Sequence, residues 1–123
     1  MDGNPKTIFG LAKPGMRAVP PLPLLAVGQA MTVGMQKYGH YNWRNDPVTA
    51  SVYYDAAMRH LLAWWDGQDL DTETGCQHLA LAAANLLILM DADSGPWLND
   101  DRHQHKGFTN EFISDNTRKM EGS

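Results

Sequence analysis

The sequence predicts an all-α protein built on a helical hairpin. Its 123 residues can bury one core and leave little room for a second. Three segments are predicted as helices, with proline or glycine near their ends. No segment shows the alternation of apolar and polar residues that is typical of a strand. We therefore expect a hairpin with one preceding helix, completed by oligomerisation.

The first helix is predicted over residues 22–38, where Gly39 provides a C-terminal stop. Residues 1–21 hold four of the seven prolines and are expected to form an irregular arm. Residues 99–123 are polar, and we expect them to be extended or partly disordered. The predicted organisation is one domain over residues 1–98, arm included, followed by this polar tail.

The hairpin is predicted from two further segments. One covers about residues 47–65, with Asp46 as N-cap and proline at the first helical position. The other covers about residues 73–92, with Asp71 or Thr72 as its N-cap.

The last helix contains the longest apolar run of the chain, the twelve residues 79–90. A membrane helix needs about 20 such residues, and residues 1–23 lack the apolar stretch of a signal peptide, so we expect a cytoplasmic protein. A helix that is apolar on nearly every side of so small a chain predicts that another subunit covers part of it. Asn85 is the one polar residue in the run and needs a hydrogen-bond partner if it is buried. Asp91 lies at the C-terminal end of this helix and is expected to face solvent.

Charge is distributed unevenly along the chain, although the net charge is only −4. Residues 1–44 carry five bases and one acid, whereas residues 45–101 carry ten acids and one base. A sequence pI near 5.6 argues against binding to duplex nucleic acid. The asymmetry suits a small polyanionic ligand held through divalent metals, but charge alone favours chance clustering on a solvated surface. The single cysteine, Cys76, excludes an internal disulfide.

An acidic turn at the tip of the predicted hairpin is the first candidate site. Asp66, Asp69, Asp71 and Glu73 fall within eight residues and have no base among them. Carboxylates this close repel one another, and a hard divalent cation relieves the repulsion. The alternative is a solvated turn in which an N-cap accounts for one of the acids.

Two histidines form the second candidate site. His60 and His78 lie on opposite arms of the hairpin, and antiparallel helices would place them at similar heights. Facing histidines can bind metal or phosphate or orient water, whereas a single buried histidine is usually structural. Arg59 lies four residues after Asp55, so these two can instead form a surface salt bridge.

The loop after the first helix is the third candidate. Lys37 and Arg44 suit phosphates, Trp43 suits the face of a nucleobase, and Asn42 suits a base edge or sugar. The alternative is a helix end with aromatic side chains that pack the loop against the core.

The candidate sites belong to an ordered set of short motifs, which are Lys13-Pro14-x-x-Arg17-x-x-Pro20, Lys37-Tyr38-Gly39-x-x-Asn42-Trp43-Arg44, Arg59-His60, Asp71-x-Glu73-Thr74-Gly75-x-x-His78-Leu79 and Ala84-Asn85. As an ordered set, these motifs resemble a known family, the phage-encoded dATP/dGTP diphosphohydrolases, a branch of the MazG-like all-α nucleoside triphosphate pyrophosphohydrolases. The resemblance covers roughly residues 10–102. The Glu-x-x-Glu-Glu and Glu-x-x-Asp patterns of the wider superfamily are absent.

The resemblance implies cleavage of dATP and dGTP between the α and β phosphates, with Mg²⁺ or Mn²⁺, to a monophosphate and pyrophosphate. It implies a role in an infected host cell, where dATP is removed and dGMP is supplied for synthesis of 2-aminoadenine. Dimers or tetramers are also implied. We expect neither direct binding to nucleic acid nor association with a membrane. The opposing hypothesis is a non-catalytic module that binds nucleotides.

Under the family interpretation, each candidate residue receives a role. Asp71 and Glu73 are assigned to metal and catalysis, and His60 and His78 bind the metal or orient a ligand or water. The remaining assignments are Asp66, Asp69 and Asp55 to metal; Arg17, Lys37, Arg44 and Arg59 to phosphate; Asn42 and Trp43 to sugar or base; and Asn85 to substrate.

Overall fold

The computed structural model describes residues 2–103 and 107–118, and most of these are helical. The all-α prediction is confirmed, while oligomerisation stays a prediction. No helix of the described residues is long and apolar enough to cross a membrane. In chain order the elements are α1 (Pro5–Leu11), a 3-10 turn (Met16–Ala18), α2 (Pro21–Tyr38), α3 (Asn42–Asn45), β1 (Val48–Thr49), α4 (Ala50–Trp65), α5 (His78–Asp93), β2 (Leu98–Asn99) and α6 (Thr109–Asp115).

The core is formed where α2 and α4 pack against α5. Alanine provides most of its buried side chains: Ala30 of α2 meets Ala80 and Ala84 of α5, and Ala57 of α4 is 3% exposed. Side chains this small let helix backbones approach closely. They also bury little apolar area per residue, and burial of apolar area is the main source of stability.

The start predicted for the second helix is wrong by three residues. Residues just before the helix pair instead with a segment that is distant in sequence. Val48 pairs with Leu98 in a two-residue parallel ladder, and the Val48 N–H donates to the Trp97 carbonyl at 2.9 Å. α4 therefore begins at Ala50. Asp46 does not cap it and instead follows the short helix α3.

The carboxylate that bonds to the first turn of α4 comes from the far end of the domain. Asp101 accepts from the Ser51 backbone N–H at 2.9 Å and from the Ser51 hydroxyl. This contact supplies one of the acceptors that the first N–H groups of a helix lack. The chain is therefore fastened to the helical body as far as Asp101, beyond the predicted domain end at residue 98.

The start predicted for the third helix is also wrong, because residues 71–76 form a closed turn. The Asp71 N–H donates to the Cys76 carbonyl, and the Gly75 N–H donates to the Asp71 carbonyl, both at 2.8 Å. Gly75 has φ +74°, a left-handed conformation that ends any helical continuation. Hence α5 begins at His78, and Glu73 lies outside the first helical turn.

Both ends of the chain contain more helix than predicted. α1 lies within the predicted irregular arm, where the Asn4 side chain accepts from the Lys6 N–H at 2.9 Å. α6 lies within the predicted polar tail. Neither helix has a buried residue.

The first-helix prediction is confirmed, since α2 ends at Tyr38 and Gly39 follows with φ +94°.

Candidate functional site

A cavity of about 640 Å³, the central cavity, is lined by α2, α4, α5 and the loops that follow α2 and α4. Sites for small molecules usually measure about 300–1,000 Å³. α5 contributes Leu81, Ala84, Asn85 and Ile88, which lie at positions i, i+3, i+4 and i+7 and so share one face of the helix. The cavity is therefore large enough for a nucleotide and is mostly apolar along α5.

Ionisable side chains gather at the end of the central cavity nearest the α4–α5 loop. This polar end comprises Lys37, His60, Asp71, Glu73 and Thr74. Lys37 comes from the last turn of α2, because that helix continues to Tyr38 before Gly39 ends it. The closed turn of residues 71–76 presents the two carboxylates to it.

Lys37 and Glu73 form an ion pair across the polar end, with Nζ and Oε1 3.1 Å apart. The hydrogen bond and the charge of Glu73 raise the pKa of Lys37. Both side chains are exposed, at 42% and 77%, and exposed pairs contribute little stability. A more highly charged ligand can therefore replace either partner at small cost.

Asp71 is held by its own turn. Its Oδ2 accepts from the Thr74 backbone N–H at 2.9 Å and from the Thr74 hydroxyl at 2.7 Å. The pKa of Asp71 is lowered, first by the Thr74 hydroxyl and also by the positive charge that His60 and His78 can carry. Within the described chain, Oδ1 of this ionised group has no protein donor.

The two histidines meet as predicted. Nδ1 of His60 lies 2.9 Å from Nδ1 of His78, so one ring nitrogen donates its proton to the other. Burial lowers the pKa of His60, and the neighbouring His78 lowers it further. With both rings neutral, one Nε2 is an acceptor and the other is a donor. His78 is buried, whereas His60 lines the central cavity.

Arg44 is engaged elsewhere. Its Nε and NH2 groups donate to the two Asp91 oxygens at 2.9 and 2.8 Å, and the Trp43 Nε1 donates to Asp91 at 2.7 Å. The guanidinium also lies 4.8 Å from the Tyr41 ring and 4.7 Å from the Trp97 ring. The hydrogen bonds from Arg44 and then from Trp43 lower the pKa of Asp91 to about 2. The Asp91 side chain keeps 30% of its exposure, but a base 47 residues away in sequence binds it, which the sequence did not predict.

The structure gathers only part of the predicted set around the central cavity. Trp43 lines the cavity, but its side chain is only 5% exposed and packs with Val48 and Ala92. The predicted residues that do not line the cavity are Arg17, Arg44, Asp55, Arg59, Asp66, Asp69 and His78, and those that do are Lys37, Asn42, Trp43, His60, Asp71, Glu73 and Asn85.

The five acids that were predicted to bind a metal ion do not come together as a complete set of ligands. Nowhere in residues 2–103 and 107–118 do three His, Cys, Asp or Glu side chains converge on a point that could hold a metal ion. Of the five acids, only Asp71 and Glu73 share the central cavity. Mg²⁺ is commonly bound by one or two carboxylates together with substrate phosphates, and these two donors fit a site of that kind.

Several residues that line the central cavity received no role from the sequence, among them Met31, Tyr53 and Thr74. Burial raises the pKa of Tyr53. The three- and four-residue spacing of Tyr53, Ala56 and His60 is the signal that could have placed Tyr53 on the inner face of α4. Thr74 received no role because the segment around Asp71 was interpreted as the start of the third helix.

Comparison with known proteins identifies relatives of this chain. A family model described as "dATP/dGTP diphosphohydrolase, N-terminal" matches residues 3–102. A dATP/dGTP diphosphohydrolase of Salmonella phage PMBT28 is 34% identical over 76 residues, which are 62% of this chain and 26% of that relative. No solved structure matches. The family match covers most of the chain, and the chain therefore belongs to the dATP/dGTP diphosphohydrolase N-terminal family.

Proposed function

We propose that the central cavity binds a purine deoxynucleoside triphosphate, dATP or dGTP, and hydrolyses it to a monophosphate and pyrophosphate. The observation that carries this proposal is the meeting of Lys37, His60, Asp71 and Glu73 at one end of a largely apolar cavity. A nucleotide has the complementary form, with a charged triphosphate at one end and a flat base at the other. The name of the phage relative supports a nucleotide substrate.

We propose that hydrolysis requires Mg²⁺ or Mn²⁺. The polar end presents two carboxylates against a single lysine, so a triphosphate alone would be repelled. Asp71 and Glu73 would hold the ion together with the phosphates. A divalent ion there would neutralise phosphate charge and lower the pKa of a bound water.

The residues of the polar end have separate parts in this proposal. Lys37 would leave Glu73 and bind a phosphate oxygen, which the exposed ion pair permits. His78 would hold His60 through the Nδ1 contact, so that the His60 ring keeps one orientation in the cavity. A neutral His60 can then orient an attacking water by hydrogen bonding through Nε2. Phosphoryl transfer depends mainly on such positioning and on charge neutralisation.

The biological part of the proposal comes from the resemblance. Removal of dATP and supply of dGMP would serve synthesis of 2-aminoadenine for phage DNA. The cytoplasm of an infected cell and a dimeric or tetrameric assembly belong to the same proposal.

Incubation with each of the four deoxynucleoside triphosphates, plus Mg²⁺ or Mn²⁺, tests the activity. Chromatography should identify the monophosphate and pyrophosphate as products with dATP and dGTP, and chelation of the metal should abolish them. A diphosphate and orthophosphate as main products would contradict the proposed bond. Nucleotide binding without turnover would favour the non-catalytic alternative.

Substitution of the two carboxylates at the polar end should separate charge from shape. Glu73→Gln and Asp71→Asn should each lower turnover at least about a hundredfold, because an amide is a much weaker ligand for a hard cation. Asn at position 71 can still accept from Thr74, so the turn should persist. Kinetics at saturating metal measure the effect, and circular dichroism checks folding.

Asp93→Asn is the matched control, since Asp93 is exposed at the other end of α5 and does not line the cavity. It should retain wild-type turnover. Near-normal turnover of Glu73→Gln would move the active site away from the polar end.

A further inference from the structure

Asn85 is the one polar residue among the four that α5 contributes to the central cavity. Its neighbours on that face are Leu81, Ala84 and Ile88. The Asn85 Nδ2 donates to the Leu81 carbonyl of its own helix at 3.0 Å. No residue of the described chain donates to the Asn85 Oδ1.

The Leu81 carbonyl determines which way round the Asn85 amide stands. A carbonyl oxygen can only accept, so the amide must turn its NH2 group toward it. The opposite orientation would bring two acceptors together. The Asn85 Oδ1 therefore remains as an acceptor for a ligand, beside the second N–H of the same amide group.

The distance between Asn85 and the polar end suits a nucleotide whose base lies against the Asn85 side chain. Asn85 follows His78, which contacts His60 of the polar end, by seven residues, and this is two helical turns or about 10 Å along α5. This separation is comparable to the span from the α-phosphorus of a purine nucleotide to the far edge of its base. Phosphates at Lys37 would therefore bring the base against Asn85, with Met31 and Tyr53 beside it.

We propose that Asn85 determines base specificity, by accepting a hydrogen bond from the amino group or ring N–H on the six-membered ring of the purine. The assignment rests on the proposed function. Adenine donates through its 6-amino group, and guanine donates through N1 and its 2-amino group. A base without such a donor would leave the Oδ1 of Asn85 unpaired in a cavity from which the ligand excludes water. Sites built to hydrogen-bond a substrate group discriminate against analogues that lack it for this reason.

Binding of two non-hydrolysable nucleotides tests the assignment. The probes are α,β-methylene analogues of dATP and of the purine deoxynucleotide that lacks the 6-amino group, measured by calorimetry with Mg²⁺. The wild-type protein should bind the dATP analogue at least about tenfold more tightly. In Asn85→Leu, which keeps the branched shape and the number of heavy atoms of the side chain, this ratio should fall to nearly one through weaker binding of the dATP analogue.

Two further variants complete the experiment. Asn85→Ala should show the same loss of discrimination, and alanine suits this alanine-rich helix if leucine disturbs the packing. Gln29→Leu makes a comparable amide-to-leucine change at an exposed position of α2 outside the cavity, and should keep the wild-type ratio. Unchanged discrimination in Asn85→Leu or Asn85→Ala would overturn the assignment, as would a wild-type ratio of one or no binding of either analogue.

Turnover of dATP, measured in parallel, separates this assignment from the proposed function. Binding with the expected ratio but without hydrolysis would refute the hydrolytic function and support the role of Asn85. Hydrolysis with a ratio that Asn85→Leu does not change would support the function and refute the role of Asn85.

Discussion

Arg44 illustrates how the role of one residue depends on a partner distant in sequence. A guanidinium beside aromatic residues is a reasonable phosphate site when only the sequence is known. In the fold, Asp91 occupies it through two hydrogen bonds, and Tyr41 and Trp97 lie close to it. Arg44 therefore fastens the loop after α2 to the end of α5.

We expect Asp91→Asn to lower the melting temperature of the protein. The change removes the charge that holds Arg44, and the amide cannot accept at both positions as the carboxylate does. Asp93→Asn, two residues away on the exposed side of α5, should have little effect. Equal melting temperatures for the two variants would show that the Arg44 contact contributes no stability.

The stability of the protein should also depend on pH through His60. Its pKa in the folded chain lies below the ordinary value of 6.5, because burial and then His78 disfavour its charged form. The unfolded chain therefore takes up this proton first as the pH falls below 6.5, and the folded state loses stability until the folded pKa is passed. Arg59 acts in the same direction and Asp71 opposes it.

Chemical denaturation at about pH 7.5 and pH 5.5 measures this effect. The free energy of unfolding should be larger at the higher pH, and the difference should shrink in His60→Asn. Carboxylates with lowered pKa values, such as Asp71 and Asp91, lose their contribution only below their ordinary value of 3.8, outside this range. An undiminished difference in His60→Asn would assign the pH dependence to another group.

At the level of elements, the turn between α4 and α5 depends on one glycine. Gly75 has φ +74°, and a Cβ there would meet no atom within 4 Å. Gly75→Ala should therefore destabilise the protein by about 1 kcal/mol through backbone strain rather than through a clash.

Gly28→Ala is the matched substitution with the opposite expected sign. Gly28 lies within α2, and a Cβ added at this position would also meet no atom within 4 Å. Alanine there should stabilise the protein by about 0.5–1 kcal/mol, because it loses less backbone freedom on folding. Denaturant unfolding measures both variants, and a stability change of the same sign in both would contradict the assignment of strain to Gly75.

Considered as a whole, the molecule exposes much of its apolar surface. The large hydrophobic residues of the described chain include Trp65 at 81% exposure and Leu22 at 77%, and none of its large side chains is fully buried. On α5, Leu79, Leu86 and Met90 are exposed at positions that recur along one side of the helix. Apolar patches of this kind usually mark an interface.

We therefore expect a stable oligomer at micromolar concentration, with α5 at or near the interface. Light scattering coupled to gel filtration measures the assembly. Leu86→Glu combined with Met90→Glu should shift it toward monomer, whereas Gln29→Glu on α2 should not. A wild-type monomer would contradict the expectation.

The sequence by itself determined the helical class of this protein, the end of α2 and the meeting of His60 with His78. Each of these depends on composition, on a stop signal or on helix pairing, all of which act over short stretches of chain. The family resemblance is likewise carried by residues in sequence order, and the family match confirms it.

Tertiary structure decided where α4 begins and which candidate residues share the cavity. Val48 pairs with Leu98, and Arg44 pairs with Asp91, although each pair is separated by about fifty residues. The backbone hydrogen bonds of Val48 outweigh local helix preference, because buried backbone groups must find partners wherever the fold supplies them. No local pattern in the sequence encodes such a partner.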